Sequence, residues 1–397
     1  MTKRCAIIGG GIGGLTAALC LAERGWMIDV FEQAEAFSDV GAGIQLSPNA
    51  MAIYAALDPQ LALRIQAAAI APAGLEMRDG LTGRGIFKVD LQAPDGKRSY
   101  AVERWGQPYV NIFRPRLVEI LADELATKRA VSLKLAAEVN LDQFDTLTRT
   151  YDLVVVANGL HSQIVQQRFR AQPPALSGHI AYRAVVQGGN RVPRTSCVYL
   201  GVDRHAVTYP VMTSGGPASN IVAIIEASRT AAATVGTGWQ TDDARQAALA
   251  AFQGFASPIG SLLDSAEIVR PWALYHRAPL RAWHTRNAVL VGDAAHPMLP
   301  TFAQGAAMSI EDAWVLAQQV SGLHPLNKAL GRYTAFRLPR VVMIYHQAKR
   351  NLRLFHRKGW LSRRLALASA RIAASLQPNI ILSRFDAVYG VDVTSDD

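Results

Sequence analysis

The chain has 397 residues, 50% hydrophobic and 18% charged, with a formal net charge of +10. This is the composition of a folded, soluble protein of two or three domains; it shows no internal repeat and no low-complexity linker. No apolar run reaches the length of a membrane span and no cationic leader precedes the first strand, so neither stable membrane insertion nor a signal peptide is expected.

The basic residues are spread out, with a denser cluster over Lys349–Arg364. An anionic cofactor and a small acidic substrate account for such a field, and no nucleic-acid partner is expected. Weak membrane-surface contact by C-terminal helices stays open. Cys5, Cys20 and Cys197 follow no metal or disulfide spacing, and Cys5 and Cys20 fall in apolar segments. These read as buried thiols in a reducing cytoplasm. The oligomeric expectation is a monomer or homodimer.

In chain order, Arg4–Gly9 is a short apolar strand running into Gly9-Gly10-Gly11-Ile12-Gly13-Gly14. Gly9, Gly11 and Gly14 form a G-x-G-x-x-G pattern. An Ala/Leu-rich helix follows from about Gly13 to Arg24, with Gly25 placed to stop it. Trp26–Phe31 predicts a second strand ending at Glu32. Such glycines permit a tight turn, close approach of a pyrophosphate and close helix–strand packing. The helix N-terminus offers free N–H groups to phosphates, and Glu32 lies where a carboxylate accepts from a ribose diol. Strand, pattern, helix, strand and acid in this order predict dinucleotide binding.

Val40–Leu46 is glycine-rich, and Pro48 opens a helix over Ala50–Leu57. Residues 70–105 carry short β-like runs broken by glycines and prolines. Asn111–Ala130 predicts a helix and Val131–Leu147 a short strand pair. Tyr151–Ala157 is an apolar, buried parallel strand ending at Asn158-Gly159. Ile180–Val186, Ser196–Leu200, His205–Pro210 and Asn220–Glu226 predict a more antiparallel second sheet. Thr241–Phe252 and Ile259–Ala266 predict helices. Val289–Gly292 is another buried strand aimed at Asp293, and a helix follows over Phe302–Val320. Gly331–Ala348 is helical with a break expected at Pro339. Arg353–Ala374 is basic and amphipathic, and Thr394–Asp397 is an expected frayed end. The expected division is a nucleotide-binding domain over 1–70, 106–177 and 281–345, a substrate domain over 71–105 and 178–280, and a helical region over 346–397.

Three motifs carry a resemblance: Gly9–Gly14 with Glu32, Val154–Gly159, and Gly292-Asp293-Ala294-Ala295-His296-Pro297 with Pro300 and Gln304-Gly305. In this order they resemble the single-component FAD-dependent aromatic hydroxylases. Gly41–Leu46, Tyr209–Val211 and Tyr275–Trp283 look most like the salicylate, 3-hydroxybenzoate and 6-hydroxynicotinate branch. The resemblance implies an α/β fold of the p-hydroxybenzoate hydroxylase type: a Rossmann-like FAD-binding domain, an inserted mixed or antiparallel sheet that binds substrate, and a C-terminal helical segment. It implies FAD, with NADH or NADPH as co-substrate, and transfer of one oxygen atom of O2 to a small aromatic substrate from a flavin C4a-hydroperoxide. A phenolic or heteroaromatic acid leads as substrate; a neutral or larger aromatic is the alternative. A flavoprotein that inserts no oxygen is a second alternative.

Carried over by resemblance, Gly9, Gly11, Ile12, Gly13 and Gly14 hold the FAD pyrophosphate and Glu32 the adenosine ribose. Arg114 contacts the flavin, with Arg116 as the alternative. Asp293 binds ribityl or pyrophosphate-side oxygens, and Gly305 and Ala306 line the ring at a helix start. Gly43 and Gln45 lie at the flavin edge, and Pro300 gives backbone near the reacting flavin carbon. Asn158 stands where the family usually has aspartate, and keeps size and hydrogen bonding but not charge. Arg183 either faces the cofactor or stands in solvent. His205, Val207 and Tyr209 share one face if their segment is a strand. His205 and Tyr209 are thus the candidate base or proton relay for a phenol, against simple packing roles. His296 is expected to fix the flavin-binding turn. His346 and His356 lie ten apart without further ligands, and no metal site is expected.

Overall fold

The computed structural model describes residues 2–37, 41–188, 192–228, 241–359 and 378–395, with isolated positions between them. Val40, most of Arg353–Ala374 beyond Gly359, and the terminal Asp396 and Asp397 lie outside the described residues.

The first segment is β1 (Arg4–Ile8), α1 (Ile12–Ala22) and β2 (Met27–Phe31). Next come β3 (Gly43–Leu46), α2 (Pro48–Leu57), α3 (Pro59–Ala67), β4 (Ala69–Ile70), β5 (Gly74–Asp79), β6 (Gly85–Asp90) and α4 (Tyr100–Trp105). The chain returns through β7 (Val110–Phe113), α5 (Arg114–Ala126), β8 (Val131–Lys134), α6 (Leu141–Thr150), β9 (Leu153–Val156) and α7 (Gln163–Arg168). The long strands β10 (Ala175–Gln187), β11 (Ser196–Leu200), β12 (Arg204–Thr213) and β13 (Gly216–Glu226) precede α8 (Thr241–Ala251), α9 (Ile259–Asp264) and β14 (Arg270–His276). The chain then gives β15 (Ala288–Leu290), α10 (Gly305–Ser321), α11 (Leu326–Phe355) and α12 (Pro378–Tyr389).

A five-stranded parallel sheet has the order β15-β9-β1-β2-β8. All four residues of β9 are buried, as a strand covered on both faces requires. The ends of β1, β9 and β15, from distant parts of the sequence, therefore open side by side on the ligand side of the sheet. A seven-stranded sheet has the order β14-β10-β13-β12-β11-β5-β6, antiparallel except where β11 meets β5. A small sheet has the order β3-β7-β4, its strands falling between β2 and β8 in the chain.

Alternation along β10 to β13 gives the large sheet two different faces. Tyr182, Ala206, Ile221 and Ala223 pack with Ala244, Ala248, Phe252, Ile259 and Leu263 beneath α8 and α9. Ala181 and Ile224, on the opposite, inner face, pack with Leu274, Leu299 and Leu352.

Four expectations need correction. The helix expected from Asn111 starts at Arg114, because Val110–Phe113 is spent on pairing with β3 and β4. The strand pair expected over Val131–Leu147 is one strand and then α6. Asn140 and Gln143 form a reciprocal capping box at its start, both bonds 2.9 Å. Pro339 does not break α11, which also crosses the 345–346 boundary. Its buried stripe of Leu330, Tyr333, Arg337, Val341, Ile344, Ala348 and Leu352 outweighs one lost backbone bond. The helix expected from Phe302 begins at Gly305, after a 3-10 turn at Pro300–Phe302.

Candidate active site

The glycine pattern acts through close contacts. Gly9 has φ +108°, and a Cβ there would lie 2.6 Å from the Ala157 carbonyl oxygen. A Cβ on Gly14 would lie 1.9 Å from the Gly9 carbonyl oxygen, so α1 packs on β1 only with glycine there. Over Gly11 a Cβ would meet nothing within 4 Å. The N-terminus of α1 has no side-chain cap, so the first-turn N–H groups of Ile12, Gly13 and Gly14 face this open cradle unclaimed by a cap. Glu32 flanks it, accepting from Gly10 N at 2.6 Å and from Ala34 N at 2.9 Å. Asn158 is exposed at the end of β9, its Cα 2.9 Å from where a Gly9 Cβ would be.

The second edge is the turn over 292–305. Asp293 lies in a 3-10 turn, accessible to solvent at the surface yet surrounded by protein mass. That surrounding mass raises its pKa, while His296, Arg114 and Arg277 pull it down. Its carboxylate has no hydrogen-bond partner among the described residues, as an aspartate held ready for a ligand would require. Arg277, 6% exposed, donates to the Ala294 carbonyl at 2.5 Å and so fixes the turn. Pro300 is exposed, while Leu299 beside it is buried on the large sheet. Gly305 and Ala306 are half-buried at the start of α10, whose N-terminus also lacks a side-chain cap.

A buried ionic network, not legible in the sequence, holds this turn. Asp312 accepts from Gly292 N at 3.0 Å, from His296 Nε2 at 2.5 Å and from Arg337 Nε at 2.7 Å. Glu311 accepts from Arg337 at 2.5 Å, from Arg340 at 2.7 Å and from Asn49 at 2.6 Å. Gln304 donates to Ser47 at 2.9 Å, tying the start of α10 to α2. His296 thus has the turn-fixing geometry expected of it.

Of the two candidate arginines, Arg116 is committed to Glu119 at 2.7 Å on the outer side of α5. Arg114 is the one whose charge reaches Asp293 and Arg183. Arg183 is half-buried on the inner face with Nε enclosed and unpartnered among the described residues. Burial lowers its pKa, opposed by Tyr209.

His205, Val207 and Tyr209 do share the inner face of β12, but the structure does not bring His205 and Tyr209 together. They stand four residue steps apart along the strand, about 13 Å. Tyr209 donates to the Gly43 carbonyl at 2.7 Å, and burial pushes its pKa well up. Asn220, missed in the sequence, accepts from Gly43 N at 2.7 Å. Gln45 reaches Asn111 at 3.4 Å, and Asn111 donates to Ser196 at 3.1 Å. His205 instead meets His356, with 2.7 Å between Nδ1 and Nε2. Among the described residues no group of three or more His, Cys, Asp or Glu could hold a metal ion. All three cysteines are buried, and burial raises each thiol, Cys20 and Cys197 to about 12.

An open glycine cradle, an unpartnered aspartate, a facing arginine and two uncapped helix starts fit FAD. The fold and these edges define an FAD-dependent oxidoreductase. Residues 146–345 match a family described as an FAD binding domain, and residues 7–44 match an NAD(P)-binding Rossmann-like domain. The chain is 33% identical to a 3-amino-4-hydroxybenzoate 2-monooxygenase of Streptomyces platensis, covering 97% of this chain and 96% of that one. It is 32% identical to a 6-hydroxynicotinate 3-monooxygenase of Pseudomonas fluorescens, over 91% and 92%. Its fold resembles Klebsiella pneumoniae HpxO complexed with FAD and uric acid, with a TM-score of 0.75, 21% identity and 93% and 92% coverage. The chain belongs to the single-component FAD-dependent aromatic monooxygenases, in their hydroxybenzoate and hydroxynicotinate hydroxylase branch. It is an NAD(P)H-dependent enzyme that acts on a small aromatic substrate with O2.

Proposed function

We propose that the enzyme hydroxylates a small phenolic or heteroaromatic acid, with its carboxylate held by Arg183. The observation that carries this is a half-buried guanidinium with an unpartnered Nε, on the same sheet face as Tyr209. A cation placed there without a carboxylate of its own is matched by an anionic ligand. The relatives' hydroxybenzoate and hydroxynicotinate substrates carry that group.

In this reading Gly9, Gly11, Ile12, Gly13 and Gly14 cradle the pyrophosphate, with Glu32 on the ribose. Arg114, Asn158, Asp293, Gly305 and Ala306 line the remainder of the cofactor, and Gly43, Gln45 and Pro300 approach its reactive edge. The bound flavin supplies activated oxygen. The chain orients the ring, excludes water with Leu299 and its apolar neighbours, and removes the phenol proton to enrich the ring in electrons. The FAD-binding domain takes in 1–70, 106–177 and 281–345, with α11 continuing past that bound to Phe355; the substrate domain takes in 71–105 and 178–280, and the helical region 346–397. Among the described residues no helix is long and apolar enough to cross a membrane; a cytoplasmic monomer or homodimer completes the reading.

The test compares salicylate and 3-hydroxybenzoate with their amides as stimulants of NADH and NADPH oxidation, with product identification. Acids should stimulate and give ring-hydroxylated product. In Arg183→Gln the KM for the acid should rise about 30-fold, as for removal of one partner of a desolvated ion pair. Equal stimulation by acid and amide contradicts the assignment.

A further inference from the structure

Residues 313–385 hold 13 of the 41 Lys and Arg and none of the 31 Asp and Glu. Elsewhere the chain has 28 cations against 31 acids, so this one stretch accounts for all of the +10 formal charge. α11, Leu326–Phe355, lies within it and contains no acid. Arg337 and Arg340 turn inward from α11 to Glu311.

The outer side of the helix combines the remaining charge with apolar groups. Phe336, Met343, Arg350 and Leu354 stand seven, seven and four residues apart, which keeps them on one line along the helix. That line runs opposite the buried stripe from Leu330 to Leu352. Phe336 is 56% exposed, Met343 41% and Leu354 50%. Arg353, beside Leu354, and Arg357, just past the helix, are exposed as well. Arg353 donates to the Lys349 carbonyl at 3.5 Å. Among the described residues Arg350, Arg353 and Arg357 have no carboxylate within ion-pair distance. Glu226 and Asp203, the carboxylates at this end, face Lys358 at 2.9 and 3.9 Å. The helix dipole accounts for a cation in the last turn, but not for apolar side chains aligned with several of them. Apolar groups in line with unpaired arginines suit a headgroup boundary, where the former sink toward the acyl chains and the guanidiniums meet phosphates.

We propose that the outer face of α11 docks the enzyme reversibly on an anionic lipid surface. Charge selects this occupant. A second copy offers the arginines no carboxylate, since its own α11 has none. Nucleic acid would take the arginines and leave Phe336, Met343 and Leu354 in water. The helix lies along the bilayer without crossing it, as no described helix is long and apolar enough to span one.

The test mixes FAD-loaded, full-length enzyme with vesicles of phosphatidylcholine, either alone or with about a third of phosphatidylglycerol, and measures co-sedimentation. The enzyme should sediment with the anionic vesicles, stay in solution with the neutral ones, and be released by high salt. Arg350→Gln, Arg353→Gln and Arg357→Gln together should lower partitioning about 100-fold, about fivefold for each arginine. Phe336→Gln, Met343→Gln and Leu354→Gln together should lower it at least tenfold with the arginines kept. Both proteins should keep their FAD content and thermal midpoint, because all six side chains are exposed. No binding to the anionic vesicles, or equal binding to both kinds, overturns the docking. Binding that ignores the apolar substitutions, with equal retention on duplex DNA, would assign the face to nucleic acid. A wild-type dimer that the arginine substitutions dissociate would assign it to a second copy. Either result overturns the lipid assignment.

Discussion

The Tyr209 hydroxyl donates to the Gly43 carbonyl across 2.7 Å, which ties the large sheet to β3. Asn220 holds the N–H of the same glycine, and a Cβ on Gly43 would lie 2.6 Å from the Tyr209 ring. Tyr209 therefore sets the spacing between β12 and β3. Tyr209→Phe should cost about 1 kcal/mol of stability. Hydroxylation should fall about 100-fold while FAD content stays near that of the wild type. Steady-state product formation and flavin absorbance per protein check this; equal losses in both would assign the residue to folding.

Asp293 has no hydrogen-bond partner among the described residues, and its raised pKa reflects crowding by protein mass. Asp293→Ala should weaken FAD binding at least tenfold, about the loss of one charged hydrogen bond. Flavin fluorescence titration measures it, and normal occupancy would remove Asp293 from the cofactor site.

Arg337 is fully buried and bonds both Glu311 and Asp312. Removing it leaves two buried carboxylates sharing less charge. Arg337→Met should destabilise the fold by about 3–5 kcal/mol in denaturant unfolding. A loss below about 1 kcal/mol would mean that Arg340 and His296 suffice.

Acid should destabilise the protein in two windows. Burial depresses the pKa of His205 and of His356, the latter to about 4. Their contribution is complete above the unfolded value, about 6.5, and is lost as pH falls toward the folded one. Burial raises Glu311 and Asp312, but Arg337 acting on Glu311, and His296 and Arg337 acting on Asp312, outweigh it, so both carboxylates end lowered. Their contribution is present above about pH 4 and is lost below it. Thermal unfolding against pH should therefore fall first between about 6.5 and 4, and a His205→Gln, His356→Gln protein should make that fall shallower, with the remainder due to His179, His276 and His284, which burial also lowers. A profile unchanged by the double substitution contradicts the assignment.

The sequence made the nucleotide half legible because its signals are local. The Gly9–Gly14 pattern, the apolar Leu153–Val156 strand and the Gly292–Pro297 turn each lie within a few neighbouring residues. The alternation that puts His205 and Tyr209 on one face is equally local. What each then touches is not: Tyr209 meets a glycine 166 residues away and His205 a histidine 151 away. The Asp312–Arg337–Glu311 network escaped for the same reason, since ion pairs between buried helices leave no periodic mark. Local signals were also missed: Asn140 and Gln143 stand at capping-box spacing, and apolar Val110–Phe113 stands before a proline-marked helix start.

An aromatic acid held on the inner sheet face should be hydroxylated at the flavin. Turnover under 18O2 with 3-hydroxybenzoate or salicylate tests it most directly, by mass spectrometry of the product. One labelled oxygen atom in the ring-hydroxylated product for each NAD(P)H consumed is the expected result. NAD(P)H oxidation that is equal with and without the acid, with no label in any aromatic product, would contradict it.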